Sequence, residues 1–261
     1  MNKIYQHIKL ELHDHCINIV FNRPKKKNAL HPDMIKEIIE ILRLYENNSQ
    51  IRIVLFSSNS DVFCAGADLK YLEKIKDFSD AENLEDSKQL MNLFKIMLSY
   101  PKLIISKVEG AAIAGGCGLV TASDIVFATH ESVFGYPEVK IGFIPALVST
   151  FLIKKIKPTD ARELLLTGKL INAKKAQEIG LINYIDATNE IDQNINEFMS
   201  KIIKSTSANS INETKKMLYT WLKIDDDLKK AAEFNAKNRK TKDFEIGISS
   251  FLNKKHIHWD N

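Results

Sequence analysis

The apolar positions first form two short alternating runs. "YQHIKLEL" and "CINIVFN" are joined by the polar "HDH", so the chain opens as a β-hairpin. After "NRP" the period changes. In "HPDMIKEIIEILRLYENN", Ile35, Ile38, Ile39 and Leu42 recur on one helical face, and Pro32 suits the first turn. "IRIVLFSS" and "KLIISKV" are unbroken β-branched runs of the kind found in strands buried on both faces. Between them, "DVFCAGADL" leads into a polar, helical stretch from Lys70 to Ser99. A Gly/Ala segment and a helical "LVTASD" follow, and "DIVFAT" and "SVFGYPEV" continue the alternation. From Pro145 the pattern turns helical, through "PALVSTFLIKKI", "TDARELLLTG" and "AKKAQEIG", with a short strand in "LINYID". Gly168 and Gly180 stand where left-handed stop residues belong. Residues from about Glu190 to Lys255 read as three amphipathic helices. The prediction is an α/β fold with a helical C-terminal portion and no internal repeat.

Composition narrows this reading. The 261 residues are 44% hydrophobic and 27% charged, enough for one large domain with a sizeable core. The net charge of +4 is spread among interleaved lysines and acids, which gives no nucleic-acid footprint. Three scattered cysteines, Cys16, Cys64 and Cys117, point to reduced thiols rather than a disulfide framework. "MNKIYQHIKLELHD" lacks the apolar core of a signal peptide, and no run reaches the 18 or so apolar residues of a membrane span. The expectation is a soluble, cytoplasmic protein.

Two loops carry most of the candidate chemistry. Cys64-Ala65-Gly66-Ala67 precedes "DLKYLEK", and Ala114-Gly115-Gly116 precedes "CGLVTASD"; both place small residues between a strand and a helix. A helix start leaves amides unpaired at the positive end of its dipole. Without bulky side chains, a ligand oxygen can approach those donors, and two donors converging on one carbonyl would stabilise a developing enolate. On residues alone a second reading stands beside this one, in which the glycines only allow close helix–strand packing. Other glycine-loop chemistries lack their motifs: there is no G-x-x-x-x-G-K-[ST], no G-x-G-x-x-G after an opening strand, and no G-x-S-x-G. His13, His15, His256 and His258 have no C-x-x-C or H-E-x-x-H partner set, so they read as hairpin and tail residues and no metal is expected. Glu138, in "FGYPEVKIGFIP", has apolar neighbours that could desolvate it and raise its pKa. Taken by itself, a surface turn after Pro137 is the simpler reading.

Taken together and in order, "FNRPKKKNAL", "FCAGADLK", "EGAAIAGGCGL", "ASDIVFAT", "FGYPEVKIGFIP", "ARELLLTGKLINAKKAQEIGLIN" and "DFEIGISSFLNKK" resemble the enoyl-CoA hydratase/isomerase (crotonase) family almost end to end. Within it, the chain is most similar to bacterial enoyl-CoA and methylglutaconyl-CoA hydratase-like members. The resemblance implies a crotonase-like spiral of ββα turns over residues 1–195 with the active site. It also implies a helical region, 196–261, for oligomerisation and CoA nucleotide contacts. The implied assembly is a homotrimer or a hexamer of paired trimers. The implied substrate is an acyl-CoA thioester; coenzyme A belongs to the substrate, so no separate cofactor is expected, nor any nucleic-acid or membrane partner. The family's oxyanion donors fall on the amides of Ala67 and Gly115. Its CoA contacts fall on Lys25, Ala65, Asp68, Leu69 and Lys70, with Phe251 and Lys254 meeting the adenine and the 3′-phosphate.

One departure matters. Hydratases of the family usually place two glutamates across a water, twenty positions apart. The second falls on Glu138, and the first falls on Gly118. The resemblance therefore implies an enoyl-CoA hydratase using Glu138 as acid/base. A 3,2-enoyl-CoA isomerase shuttling one proton, or a decarboxylase needing only enolate stabilisation, is the alternative. A non-catalytic acyl-CoA-binding or RNA-associated scaffold is the reading from another class, opposed by Glu138, both loops and the mixed charge.

Overall fold

The computed structural model describes residues 4–257 and 259. Strands β1 (Ile8–His13) and β2 (Cys16–Phe21) pair antiparallel from Ile8↔Phe21 to His13↔Cys16. The turn residue Asp14 takes a positive φ of 44°. Helix α1 (Pro32–Glu46) has Pro32 in its first turn and buries Met34, Ile35, Ile38, Ile39, Ile41 and Leu42. Then come β3 (Ile53–Ser58), β4 (Val62–Cys64), α2 (Leu69–Ile75), α3 (Asp80–Ser99), β5 (Leu103–Val108), β6 (Ala111–Ile113), α4 (Gly115–Ala122), β7 (Ile125–Thr129) and β8 (Val133–Gly135). After a 3₁₀ turn, Pro137–Ile141, the chain continues as α5 (Ala146–Lys155), α6 (Pro158–Thr167), β9 (Leu170–Asn172), α7 (Ala173–Glu178) and β10 (Tyr184–Asp186). It ends in α8 (Ile191–Ser205), α9 (Ala208–Leu222), α10 (Asp225–Asn238) and α11 (Lys242–Leu252).

The strands form a six-stranded sheet, β1-β2-β3-β5-β7-β10, and a four-stranded sheet, β4-β6-β8-β9. From β3 to β8 each circuit of the chain adds one strand to each sheet, all joined in parallel. That is a spiral of ββα turns, as expected. The unbroken apolar strands are explained by burial on both faces. On β3, Val54 and Phe56 enter the main core, while Ile53 and Leu55 pack with Ile191 and Ile195 of α8.

Several expectations shift. The polar stretch from Lys70 is two helices, because Ser79 and Glu82 form a reciprocal capping box that starts α3 afresh. The helix expected at "LVTASD" begins earlier, with Gly115 itself as its first residue. Strand β9 was not anticipated; it closes the small sheet by pairing antiparallel with β8. The C-terminal region holds four helices, not three. Their breaks contain neither Gly nor Pro: α9 ends on Lys223 in a left-handed conformation, and capping side chains Ser207 and Thr241 start α9 and α11. The 195/196 boundary falls inside α8. All three cysteines are free and buried, and His258 lies outside the described residues.

Candidate active site

Three adjacent strands of the small sheet, β4, β6 and β8, run parallel and end side by side, with Cys64 near Ala112 and Ile113 opposite Gly135. Their C-terminal ends therefore deliver three segments to one edge: Ala65-Gly66-Ala67, Ala114-Gly115-Gly116 and Tyr136-Pro137-Glu138. Ligands of parallel α/β sheets bind at such edges.

The first segment is held by a two-bond bridge. The Leu30 amide donates to the Gly66 carbonyl at 2.7 Å, and the Asp68 amide donates to the Leu30 carbonyl at 2.9 Å. The Ala67 amide between them has no partner among the described residues, and Ala67 is exposed. In the second segment, the Ala114 amide donates to the Gly135 carbonyl at 2.8 Å, and α4's first internal bond runs from the Gly118 amide to the Ala114 carbonyl at 2.9 Å. That leaves the Gly115 amide at the helix start with no backbone partner among the described residues. Ala114 holds φ at 52°, an unusual conformation for a residue with a Cβ, and it turns the chain from β6 into α4.

The glycines divide between the two readings of these loops. A Cβ at Gly116 would stand 2.3 Å from the Cys64 carbonyl oxygen, so this glycine lets α4 lie on β4. Gly66 requires its positive φ of 90°, and a Cβ there would meet the Ala114 methyl at 3.0 Å. The two loops thus touch. A Cβ at Gly115 would meet only the Leu30 side chain, at 3.0 Å. Close packing explains Gly116; it does not explain Gly115.

Glu138 is not a surface residue. It is 7% exposed, within the 3₁₀ turn that follows β8, and the Phe143 amide donates to its carbonyl at 3.0 Å. Its Oε2 is buried without a hydrogen-bond partner among the described residues. Burial pushes the carboxyl up to about 7, opposed only by its own backbone amide. An acid of that pKa can both take and give a proton near neutrality.

Position 118, on which the first carboxylate of the usual pair falls, is closed. A Cβ at Gly118 would stand 2.6 Å from Val148 Cγ1 and 2.8 Å from Phe94 Cζ. Both side chains are buried, and Phe94 packs edge-on against Phe151. The space a first glutamate would need holds hydrocarbon.

Asp68 is fully engaged within the fold. Its Oδ1 accepts from the amides of Lys70 and Tyr71 at the start of α2, and its Oδ2 takes a 2.7 Å ion pair with Arg23. Burial works to raise this carboxyl, but the Arg23 hydrogen bond, the Tyr71 amide and the Arg23 charge outweigh it and hold it below the usual range. Arg23 also donates to the Ala29 carbonyl, so it ties the chain before Leu30 to the loop carrying Ala67. Sequence reading passed over Arg23, although "NRP" stands beside the lysine run. Lys25 is exposed on the 3₁₀ turn Pro24–Lys26, Ala65 is half-buried, and Leu69 and Lys70 are exposed at the head of α2. Phe251 and Lys254 are exposed at the end of α11. That helix packs on α2 and on the turn bearing Glu138: Phe244 and Ile248 meet Leu72 and Ile75, and Gly247 lies against the Ile141 carbonyl. His7, His31 and Asp33 bring one ligand atom each within 4.8 Å of one another. His31 Nδ1 there accepts from the Asp33 amide and caps α1.

The two-sheet spiral with unpartnered loop amides and a buried glutamate at one strand edge defines an α/β protein with an enzyme-like site. The family profile for enoyl-CoA hydratase/isomerase matches residues 11–261. A provisionally named enoyl-CoA hydratase of Thermus thermophilus is 35% identical over 243 residues, 92% of this chain and 96% of that one. The crotonyl-CoA hydratase of Syntrophomonas wolfei is 28% identical over 255 residues, 96% of each. A crystal structure of an enoyl-CoA hydratase from Shewanella pealeana superposes with a TM-score of 0.80 at 29% identity, covering 98% of this chain and 96% of that one. The chain belongs to the enoyl-CoA hydratase/isomerase family and has the crotonase fold. Among the described residues no helix is long and apolar enough to cross a membrane.

Proposed function

We propose that this chain is an enoyl-CoA hydratase in which Glu138 alone serves as acid and base. The observation that carries the reading is the unpartnered, buried Oε2 of Glu138 on the strand edge that also bears the free amides of Ala67 and Gly115. The thioester carbonyl sits between those amides. The Glu138 carboxylate takes a proton from water as its oxygen bonds to C3. The C2=C3 π electrons move onto C2 and the carbonyl oxygen, and the enolate is held by the two amides. Glu138 then gives its proton to C2, and the carboxylate is restored. The names of the Thermus thermophilus and Syntrophomonas wolfei relatives support hydration. Coenzyme A lies along Ala65, Leu69 and Lys70, and Lys25 and Lys254 supply positive charge to its phosphates. The homotrimer or paired-trimer assembly is part of the same proposal, supported by Trp221 and Phe234, 64% and 61% exposed on α9 and α10.

The closed space at Gly118 favours a second reading, 3,2-enoyl-CoA isomerisation. There Glu138 removes a proton from C2 of a 3-enoyl-CoA and returns it to C4 through the same stabilised enolate. Purified protein given crotonyl-CoA is expected to consume the conjugated thioester absorbance, and Glu138→Gln to lose that activity. A protein that converts a 3-enoyl-CoA to the conjugated product and hydrates none of a panel of 2-enoyl-CoAs would establish isomerase instead.

A further inference from the structure

The far end of α4 carries a charge that the chemistry above does not use. Lys155, the last residue of α5, turns its ammonium against the C-terminal end of α4. It donates to the carbonyls of Ser123 at 2.9 Å, Thr121 at 3.0 Å and Val120 at 3.5 Å. The Val120 carbonyl also accepts from the Ser123 amide at 3.2 Å, whereas those of Thr121 and Ser123 belong to the helix end, where carbonyls lack internal partners. The nearest acid that acts on Lys155 is Asp124, through its charge and not through a direct ion pair among the described residues. Asp124, the acid next to the helix end, is held by Lys215 and by the Ile104 amide. Burial pushes the Lys155 ammonium down to about 8, although the charge of Asp124 works the other way, so the group is charged at neutral pH.

The opposite end of α4 is Gly115. The helix has eight residues, with no charged side chain of its own, and is about 12 Å long. We propose that Lys155 is a positioning residue for the thioester enolate: it clamps the C-terminal carbonyls of α4 and cancels the negative pole there, which fixes and strengthens the donor field at Gly115. This rests on Gly115 being an oxyanion donor. The ammonium and the enolate oxygen lie beyond opposite ends of this helix, each by about one hydrogen bond, so roughly 17 Å apart; at an effective dielectric of about 20 that corresponds to about fivefold in rate.

The test compares wild type, Lys155→Met, Lys155→Gln and Lys155→Arg by two readouts. One is the infrared carbonyl stretch of bound butyryl-CoA, a saturated thioester that cannot be hydrated. The other is kcat and KM with crotonyl-CoA. Wild type is expected to lower the carbonyl frequency on binding. In Lys155→Met the lowering shrinks and kcat falls about fivefold with little change in KM, and Lys155→Arg restores most of both. Lys155→Gln keeps a donor without the charge, so it carries the test if the Met variant does not fold. A folded Gln or Met variant with the full carbonyl shift overturns the inference, even if its kcat is low. Absence of any shift in wild type overturns the oxyanion reading itself and is distinguishable from failure of Lys155 alone.

Discussion

Phe94 of α3 occupies the space in front of Gly118 of α4, its Cζ 2.8 Å from where a Cβ would stand. Val148 closes the other side at 2.6 Å. Gly118→Glu therefore does not restore a two-carboxylate site. It is expected to destabilise the fold by roughly 1–3 kcal/mol through overpacking, with no gain in hydration. Phe94→Ala removes the ring, so the double variant should be more stable than the two single changes sum to, because the sites share one space. Thermal unfolding and a crotonyl-CoA assay on the three variants check this.

Glu138 links activity to stability with a definite sign. Its carboxyl moves from 4.5 in a free side chain to about 7 in the fold because burial disfavours its charge. The folded chain thus holds a proton that the unfolded chain has released across that window. The contribution is present below about pH 4.5 and lost as pH rises through 7, amounting to about 3 kcal/mol. Glu138→Gln should match wild type at the acid end and exceed its stability above neutrality. Denaturant titrations at both ends of the window measure the difference.

The same carboxyl sets the pH profile of turnover. Water addition needs Glu138 ionised, so kcat/KM is expected to climb with pH, bend near 7 and level off above it. A profile flat from pH 5.5 to 8.5 would remove Glu138 from the role of base.

Adjacent glycines should behave differently. Gly116→Ala drives a methyl into the Cys64 carbonyl at 2.3 Å, a backbone atom that cannot swing aside, and α4 must lift from β4. A loss on the order of 3 kcal/mol is expected. Gly115→Ala meets only the end of Leu30 at 3.0 Å and should leave unfolding within about 1 kcal/mol of wild type. Equal destabilisation by both would contradict the division of roles.

Much of the spiral could be read from the chain because its strands announce themselves. "IRIVLFSS" and "KLIISKV" are apolar on both faces, and the structure buries both faces. The loops bearing Ala67 and Gly115 were legible for the same local reason, small residues after a strand. Glu138 was visible as a residue, but its burial was not, since nothing in "YPEVK" shows the walls that other elements bring. The closure at Gly118 was hidden more deeply: Phe94 and Val148 come from α3 and α5, 24 residues before it and 30 after it in the numbering. Arg23 was overlooked because its value lies in reaching Asp68 and Ala29 together, a three-way contact with no signature in sequence. The C-terminal count failed where Lys223 ends α9 in a conformation usually left to glycine.

A crystal structure with a 3-hydroxyacyl-CoA bound puts the shared site to the most direct test. The thioester oxygen is predicted to lie about 2.7–3.1 Å from both the Ala67 and Gly115 nitrogens, with a Glu138 carboxylate oxygen in hydrogen-bond reach of the 3-hydroxyl. A carbonyl turned away from either amide, or a hydroxyl on the side opposite Glu138, would contradict it.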